Sequence, residues 1–211
     1  MKLDKPAIVT AAIDLLNAVG IDALSTRQLA QRLGVQQPAL YWHFRNKRDL
    51  LQAMNAEILR RWHTCREPEP GESWQAFTRR NAGSFRHALL SVRDGARVHA
   101  GTEAEPDDLT KLQGMVTFMT AHGLSPARTM TFWIAVSRYV VGCVLEEQSD
   151  APSPEAIAAL DGSAKAYPDL AAALATYRAG TPDAHFRDGL ELLIAGMEVA
   201  LKKVDRGTDT E

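Results

Sequence analysis

Three consecutive side chains, Tyr41, Trp42 and His43, are the strongest candidates for chemistry at a surface. They cannot all face one core from a helix, so at least one of them faces outward, together with Gln37 and Ala39. An exposed aromatic side chain on a short helix indicates a partner surface. The major groove of duplex DNA is such a surface, since a helix lying in it reaches base edges and phosphates. The alternative is a three-helix packing unit with ordinary surface charges.

The local elements around these residues favour DNA binding. Ser25 caps a short helix and forms a capping box with Gln28, and Gly34 ends that helix. Pro38 opens the next helix at a position where its missing N–H costs nothing. Two short helices joined by a Gly-containing turn over residues 25–44 form the helix-turn-helix pattern. Six apolar residues are expected to be buried between three helices: Leu29, Ala30, Leu33, Val35, Leu40 and Phe44.

Charge is distributed unevenly along the 211 residues. The formal net charge is −2, but residues 1–100 carry 15 Lys and Arg against 9 Asp and Glu, whereas residues 101–211 carry 9 against 17. A basic N-terminal half predicts contact with a polyanion, and chance is the alternative. Arg27, Lys47 and Arg48 lie near helix starts, from which side chains can grip a phosphate backbone.

A second set of polar residues lies in apolar surroundings. Asn81 falls between Phe77 and Phe85 at four-residue steps, so an amide sits in an aromatic helix stripe. A buried amide without partners costs on the order of 1–3 kcal/mol, so it is either bonded internally or points into a cavity. The residues alone favour internal bonding. His63 and His99 are similar cases, because a lone His is more often a satisfied core or surface residue than a ligand.

Composition and motifs exclude several classes. No run approaches the roughly 20 apolar residues of a membrane span, and the N-terminus lacks the pattern of a signal peptide. Two cysteines, Cys65 and Cys143, cannot by themselves form a disulfide scaffold or a four-ligand zinc site. We therefore expect a cytoplasmic protein without a membrane partner. A helical enzyme would rest on His63, His99 and Glu146 alone, without a nucleophile or a catalytic motif, so we expect no enzyme.

Helical periodicity continues through the chain without strand or hairpin signals. The predicted helices span residues 5–19, 25–33, 37–44, 47–65, 73–90, 107–121, 125–147, 168–178 and 183–204, with short helical pieces around 94–99 and turn-rich stretches at 148–154 and 161–168. The predicted fold class is all-α. Its parts are an N-terminal three-helix helix-turn-helix DNA-binding domain (1–46), a connecting helix (47–65), a C-terminal helical ligand-binding and dimerisation domain (66–204) and a disordered tail (205–211).

A resemblance to the tetracycline repressor family rests first on the segment LSTRQLAQRLGVQQPALYWHFRNKRDLL. It continues through GESWQAFTRRNAGSFRHALL, RDGARVHAGT, VGCVLEEQ and FRDGLELLIAGMEVAL, and so covers nearly the whole chain. The resemblance implies that nine residues contact operator DNA: Thr26, Arg27, Gln37, Pro38, Ala39, Tyr41, Trp42, His43 and Lys47. Ala39 stands where the family has Thr, which removes a hydroxyl from the reading helix and leaves the operator sequence open.

The resemblance also implies an effector site. In tetracycline-binding members of the family, the matching residues surround the drug and its magnesium ion. The implied contacts are His63, Asn81, Phe85, His99, Thr102, Leu112, Met115, Met130, Trp133 and Ser137, with Leu170, Leu174 and Tyr177 reaching in from the partner subunit. His99 would bind Mg²⁺ directly, and Thr102 and Glu146 through water. No cofactor is required by itself, since any Mg²⁺ enters with the effector.

Four departures from the family pattern concern this site. Glu103-Ala104 replaces Arg-Pro, Met115 replaces a polar Gln, Trp133 replaces a smaller aliphatic residue and Arg178 replaces an acid. They indicate a reshaped, more apolar pocket. The predicted function is a transcriptional repressor released from a palindromic operator by a small polycyclic effector such as a tetracycline-like antibiotic, with or without Mg²⁺. The alternatives are a regulator that responds to a different hydrophobic or aromatic effector, or to none, and an activator.

The resemblance further implies a homodimer and a switch. Helices 125–147 and 183–204 would pair with their copies in a four-helix bundle, and packing inside one chain is the alternative. A two-fold dimer requires a near-palindromic operator with half-sites roughly 34–36 Å apart. We expect an effector beside His99 to pull the 94–99 segment against the helix at 47–65 and so tilt the two reading heads.

Overall fold

The computed structural model describes residues 3–103 and 109–207, and these residues form helices and connecting turns without a strand. This confirms the all-α prediction. Ala104 and residues 208–211 of the predicted tail lie outside the described residues. In chain order the helices are α1 (Lys5–Ala23), α2 (Thr26–Leu33), α3 (Pro38–Tyr41), α4 (Lys47–Trp62), α5 (Trp74–Leu90), α6 (Gly95–Ala100), α7 (Leu109–Ala121), α8 (Pro126–Glu147), α9 (Pro154–Ala164), α10 (Pro168–Arg178) and α11 (Pro182–Gly207).

Capping residues define the short helices of the predicted helix-turn-helix. The Ser25 hydroxyl accepts the Gln28 backbone N–H at 3.2 Å, and Gly34 ends α2 in the left-handed conformation with φ +68°. Asn46 caps α4 by accepting the Asp49 backbone N–H at 2.9 Å. These caps confirm the predicted start and end of α2 and the predicted start of α4. Helices α3 and α4 each end three residues before the predicted position, at Tyr41 and Trp62. The capping box is only half formed, because the Gln28 side chain accepts from the Ser25 hydroxyl and not from its backbone.

Gly20 interrupts α1 directly after residue 19, where the first helix is predicted to end. Its φ of +78° lies in the region that favours glycine, so the residues after it form a separate turn. A Cβ at this position would lie 3.1 Å from an Asp94 carboxylate oxygen and 3.2 Å from the Arg93 guanidinium. The break in α1 therefore lies directly against the segment that opens α6.

The first hydrophobic core joins the predicted helix-turn-helix to the residues that follow it. Ile8 and Leu29 lie in this core with Met54 and Ile58 of α4 and with Val98 of α6, and all five are fully buried. Residue 46 is thus no boundary between two cores. Of the six predicted core residues, Leu29, Ala30, Leu40 and Phe44 are buried, and Leu33 and Val35 are partly buried against them.

The second hydrophobic core lies between α5, α7, α8 and α11. Phe77, Met119, Val140 and Ile194 are each at most 1% exposed, one from each helix. Ala96 of α6 belongs to this core, whereas Val98 belongs to the first. The short helix α6 therefore touches both cores, which places it where movement in one reaches the other.

Helix α9 is absent from the helices predicted above, which place turns at 148–154 and 161–168. Ser153 caps it by accepting the Ala156 N–H at 3.2 Å, and Pro154 occupies its first turn. Asp161 and Gly162 lie inside the helix, where their turn propensity is outweighed by the alanine-rich sequence around them. Helices α9 and α10 pack mainly against each other, and most of their residues are exposed.

Helix α11 continues to Gly207, three residues beyond its predicted end, because no glycine or proline follows Gly196 until that position. At the other terminus, α1 is the one helix in the described part of the chain that is long and apolar enough to span a membrane. Its residues Ile8, Ala12 and Leu16 are fully buried in the first core.

Candidate functional site

We refer to α3 and the residues after it, which the sequence predicts to contact DNA, as the reading surface. The Trp42 side chain is 89% exposed and Tyr41 is 49% exposed, whereas Leu40 between α2 and α3 is buried. The expectation that at least one of the three consecutive residues faces outward is confirmed. A large indole that contacts almost nothing in its own chain is a surface available to a partner.

A polar contact joins the two helices of the helix-turn-helix. The Gln37 side-chain amide donates to the Thr26 hydroxyl at 2.8 Å and lies 3.4 Å from the Tyr41 hydroxyl. The first residue of α2 is thereby tied to the N-cap of α3. These three residues, all predicted to contact DNA, therefore hold one another in place within the chain.

The remaining predicted DNA contacts surround this group. Arg27, Pro38 and Lys47 are exposed, and Ala39 and His43 are half-buried. The Lys47 ammonium donates to the Ile21 carbonyl at 3.4 Å, which anchors the start of α4 beside the end of α1. Cationic and aromatic side chains are thus exposed in this region, as contact with a phosphate backbone would require.

The candidate effector site has three rings at its centre. The Phe85 ring centroid lies 5.6 Å from that of His63 and 4.9 Å from that of His99. Burial, with the positive charge of Arg66 adding to it, lowers the pKa of His63 to about 4. Burial also lowers the pKa of His99. Both imidazoles are therefore neutral near physiological pH, so each offers one nitrogen lone pair.

Polar partners within the chain hold the other predicted contacts. The Asn81 amide donates to the Cys65 carbonyl at 2.8 Å, so the internally bonded alternative applies. His63 Nδ1 lies 3.0 Å from the Ser84 hydroxyl oxygen. The Thr102 hydroxyl donates to the His99 carbonyl at 2.7 Å. The sequence brings these residues together from the end of α4, from α5 and from α6.

Trp133 lies deeper in the second core. Its ring centroid is 5.5 Å from that of Phe77, which in turn packs edge-on against Phe118 at 5.4 Å. The Trp133 indole N–H is buried and has no acceptor among the described residues. A buried donor without a partner costs on the order of 1–3 kcal/mol. Among the other predicted contacts on α7 and α8, Leu112, Met115 and Ser137 are half-buried and Met130 is exposed.

Neither of two clefts in the protein lies at this site. One, of about 620 Å³, is lined by α1, α4 and the residues after α3, and the other, of about 460 Å³, lies between α1, α6 and the end of α8. His63, Asn81, Phe85 and His99 line neither of them. The rings of His63 and His99 pack against Phe85 in the described chain.

A magnesium site would draw on few protein atoms. Within the part of the chain that the structure describes, no group of three or more His, Cys, Asp or Glu side chains could hold a metal ion. Glu146 is exposed on α8, whereas its neighbour Glu147 pairs with Arg86 at 2.6 Å. One imidazole nitrogen from His99 fits Mg²⁺ if oxygens from a chelating effector and from water supply the other positions.

The residues predicted to come from a partner subunit lie on α10. Leu170 and Tyr177 are exposed and Leu174 is half-buried. The Tyr177 ring stacks on His185 with centroids 3.9 Å apart. These side chains are thus displayed at the surface of one chain, as residues that act on a second chain must be.

Contacts that the sequence did not reveal connect α6 to α1. The Asp94 carboxylate accepts the Ile21 backbone N–H at 2.8 Å, and Arg97 pairs with Asp22 through two hydrogen bonds of 2.7 and 2.8 Å. The Arg93 backbone N–H donates to the Asn17 side-chain oxygen at 2.9 Å. We refer to these residues as the α1–α6 latch. No local signal could have found it, because its partners lie more than 70 positions apart.

Asn55 is a second residue that the sequence did not reveal. It is 6% exposed on α4, and its side-chain oxygen lies 3.1 Å from His99 Nδ1. A signal existed, since Asn55 interrupts the apolar face that Leu51, Met54 and Ile58 form at helical spacing.

Comparisons with known proteins agree with this geometry. Residues 8–54 match the model of bacterial regulatory proteins of the tetR family, and residues 67–201 match the tetracyclin repressor-like C-terminal domain. The chain is 46% identical to tetracycline repressor protein class G of Vibrio anguillarum, over 93% of this chain and 94% of that protein.

Solved structures give the same result. A variant of TetR from Acinetobacter baumannii AYE in complex with minocycline is 45% identical with a TM-score of 0.77, over 94% of this chain and 98% of that one. A class A TetR in complex with 5a,6-anhydrotetracycline and magnesium is 37% identical with a TM-score of 0.72, over 93% and 98%. Both matched domains and the whole-chain likeness make this chain a member of the tetracycline repressor (TetR) family of bacterial regulatory proteins.

Proposed function

We propose that this protein is a transcriptional repressor that binds a near-palindromic operator as a homodimer and is released by a tetracycline-like effector, bound with or without Mg²⁺. The observation that carries the proposal is the identity of 46% to a tetracycline repressor over nearly the whole chain, which includes the C-terminal domain. Relatives of this domain bind minocycline, or anhydrotetracycline with magnesium. A cytoplasmic location and the absence of a membrane partner belong to the same proposal.

The exposed apolar residues of α8 and α11 support the dimer. Ile134 and Leu145 of α8 are 42% and 41% exposed, and Leu192 and Val199 of α11 are 75% and 53% exposed. Both helices also pack against each other inside the chain, so each buries one face and displays another. Pairing two such helix pairs would make a four-helix bundle and set the spacing of the two reading surfaces.

The chemistry of the effector site supports a chelating, polycyclic ligand. His63, Phe85 and His99 supply ring surfaces and neutral nitrogens, and Asn81 and Thr102 supply polar groups beside them. Magnesium bound by the effector would give the ligand a positive centre that prefers His99 and oxygens over bare apolar surface. We assign Thr102 and Glu146 to water-mediated contacts, and Leu170, Leu174 and Tyr177 to contacts from the partner subunit.

The switch would pass through α6. His99 lies near the end of this helix, and the α1–α6 latch lies at its beginning. An effector that moves His99 therefore shifts contacts with both α1 and α4. The effector must bind the DNA-free state more tightly, typically by 1–3 kcal/mol of coupling or more.

A second candidate is a regulator with a more apolar effector. The unpartnered Trp133 N–H and the tight packing of Trp133, Phe77 and Phe118 favour it, since these rings occupy space and offer a single donor. Such an effector would carry a hydrogen-bond acceptor for the indole on an otherwise hydrophobic frame.

Two assays on the full-length protein separate these functions. Selection from random duplex oligonucleotides should yield a near-palindrome, and Mg²⁺–tetracycline should release it in a gel-shift assay. Calorimetry should show saturable binding of the drug that weakens when EDTA removes the metal. Selected DNA without drug binding would favour the second candidate, and no preference among duplexes would reject the repressor altogether.

A further inference from the structure

The buried amide of Asn55 contacts His99, the residue of the effector site that is predicted to bind a metal ion. Asn55 lies on α4, on the turn between Leu51 and Ile58, and its Oδ1 lies 3.1 Å from His99 Nδ1. The two residues are 44 positions apart in sequence. Because Asn55 is 6% exposed, water offers its side chain little alternative to this imidazole.

The direction of this hydrogen bond determines the tautomer of His99. An amide oxygen can only accept, so the ring nitrogen that faces it must donate. A neutral imidazole carries one N–H, and a proton on Nδ1 therefore leaves a lone pair on Nε2. The nitrogen that remains free of Asn55 is thus the one able to bind a cation.

One further contact restricts the orientation of the ring, because His99 packs against Phe85 with an interplanar angle of 72°. The Thr102 hydroxyl donates to the His99 carbonyl and so holds the backbone from which the ring projects. The ring itself is held on one side by Phe85 and at Nδ1 by Asn55. Ligating histidines generally have such a partner on the nitrogen that does not touch the metal.

We propose that Asn55 is a positioning residue that holds His99 as the Nδ1–H tautomer and so presents the Nε2 lone pair to a divalent cation chelated by the effector. The metal-binding part rests on the proposed function, whereas the tautomer is a property of the protein alone. Since Asn55 belongs to α4, which leads to the reading surface, the same bond gives α4 a direct contact with the residue that the effector moves.

Nitrogen-15 NMR of the ligand-free, full-length protein tests the tautomer without any effector. With ¹⁵N-histidine labelling, long-range correlations distinguish protonated from unprotonated ring nitrogens, and the loss of one signal set in His99→Gln assigns His99 among the six histidines. We expect Nδ1 to be protonated and Nε2 to be unprotonated in the wild type. A protonated Nε2 would overturn the proposal before any Asn55 variant is made.

Two substitutions then test the role of the amide. Asn55→Leu has a similar size and no acceptor, so His99 should shift toward the Nε2–H tautomer. Asn55→Asp keeps an acceptor and, at a mildly alkaline pH where the imidazole is neutral, should retain Nδ1–H. Gln52→Leu is the matched control on the same helix, because Gln52 bonds to the Glu103 backbone and not to His99. An unchanged tautomer in Asn55→Leu would show that Asn55 does not set it.

Binding of Mg²⁺–tetracycline supplies the second measurement. We expect Asn55→Leu to weaken the metal-dependent affinity by roughly 10-fold and Asn55→Asp to restore most of it, in line with other residues that orient a metal ligand. Affinity that stays at the wild-type level in Asn55→Leu would overturn the positioning role. If the wild type binds no Mg²⁺–tetracycline, the proposed function fails, while the NMR result still decides whether Asn55 sets the tautomer.

Discussion

The candidate functional side chains of the reading surface and of the effector site differ in solvent exposure and in internal hydrogen bonding. Around α3, the candidate contact residues face solvent, with Trp42 at 89% exposed. Around His99, by contrast, the candidate contacts His63 and Asn81 are half-buried and hydrogen-bonded within the chain, His63 to the Ser84 hydroxyl and Asn81 to the Cys65 carbonyl. Under the proposed function, the reading surface needs no rearrangement to meet DNA, whereas the effector site exchanges internal contacts for contacts with the effector.

This difference follows from what each region must do. A surface that reads a rigid duplex gains from side chains that are already in place, because little ordering remains to be done on binding. A sensor needs two states of comparable stability, so that a small molecule can shift the balance between them. Internal partners for Asn81, His63 and His99 stabilise the state without effector. The effector must replace these contacts to shift the balance to the other state.

The largest expected effect is the loss of operator binding in Trp42→Ala. The indole makes almost no contact in its own chain, so truncation should leave folding unchanged and remove a groove contact from each of two heads. At about 1–3 kcal/mol per good contact, the dimer should lose roughly 2–6 kcal/mol of specific binding. Gel-shift titration and thermal unfolding measure the two quantities.

Tyr167→Ala is the matched control for Trp42→Ala. Tyr167 is also an exposed aromatic, at 63%, but it lies before α10, far along the chain from α3. Tyr167→Ala should therefore bind the operator with wild-type affinity. Wild-type affinity in Trp42→Ala, or equal losses in both variants, would remove α3 from the reading role.

Acidification should destabilise the effector region through His63. Its pKa is about 4 in the folded protein against 6.5 for the free side chain, so the unfolded state binds the proton more readily. Stability is therefore fully present above pH 6.5 and declines as the pH falls toward 4. The shift corresponds to roughly 3 kcal/mol. Urea unfolding across this range should show a shallower decline in His63→Gln.

The control for this pH effect is His87→Gln, which removes an exposed histidine from α5. It should keep the wild-type dependence on pH. An equally steep decline of stability with falling pH in His63→Gln would mean that another group causes it. The description of His63 as a buried, neutral imidazole would then be wrong.

The reading domain could be largely predicted from sequence, and the sensor could not, for a physical reason. Ser25, Gly34 and Asn46 act within four residues of their own position, so local patterns reveal them. Asn55 and Asp94 act across 44 and 73 positions, which no periodicity encodes. Resemblance to a family supplied His63 and His99 but not the partners that hold them. Helix α9 was missed because Asp161 and Gly162 carry turn propensity inside an alanine-rich helix.

The smallest expected effect concerns the latch that joins the two regions. Asp94 has a positive φ of 57°, and its carboxylate accepts the Ile21 N–H in a partly buried position. Asp94→Ala leaves that N–H without its partner and places alanine in a conformation that it rarely adopts, so unfolding should become easier by about 1–3 kcal/mol. The matched variant Asp94→Asn keeps an acceptor, and its side chain tolerates this conformation, so most of the loss should be recovered. Urea unfolding of the two variants beside the wild type measures the difference.

The same pair of variants tests whether the latch carries the signal. If α6 transmits the structural change caused by effector binding through Asp94, Asp94→Ala should need more effector to release the same fraction of operator DNA. The affinity of this variant for the effector in the absence of DNA should change little. Gel-shift titration with the effector and calorimetry without DNA separate these quantities. Coupling that remains at the wild-type level in Asp94→Ala would exclude Asp94 as the link. The connection from the sensor to the reading surface would then run through α4, whose side chains Asn55 and Gln52 contact His99 and the Glu103 backbone.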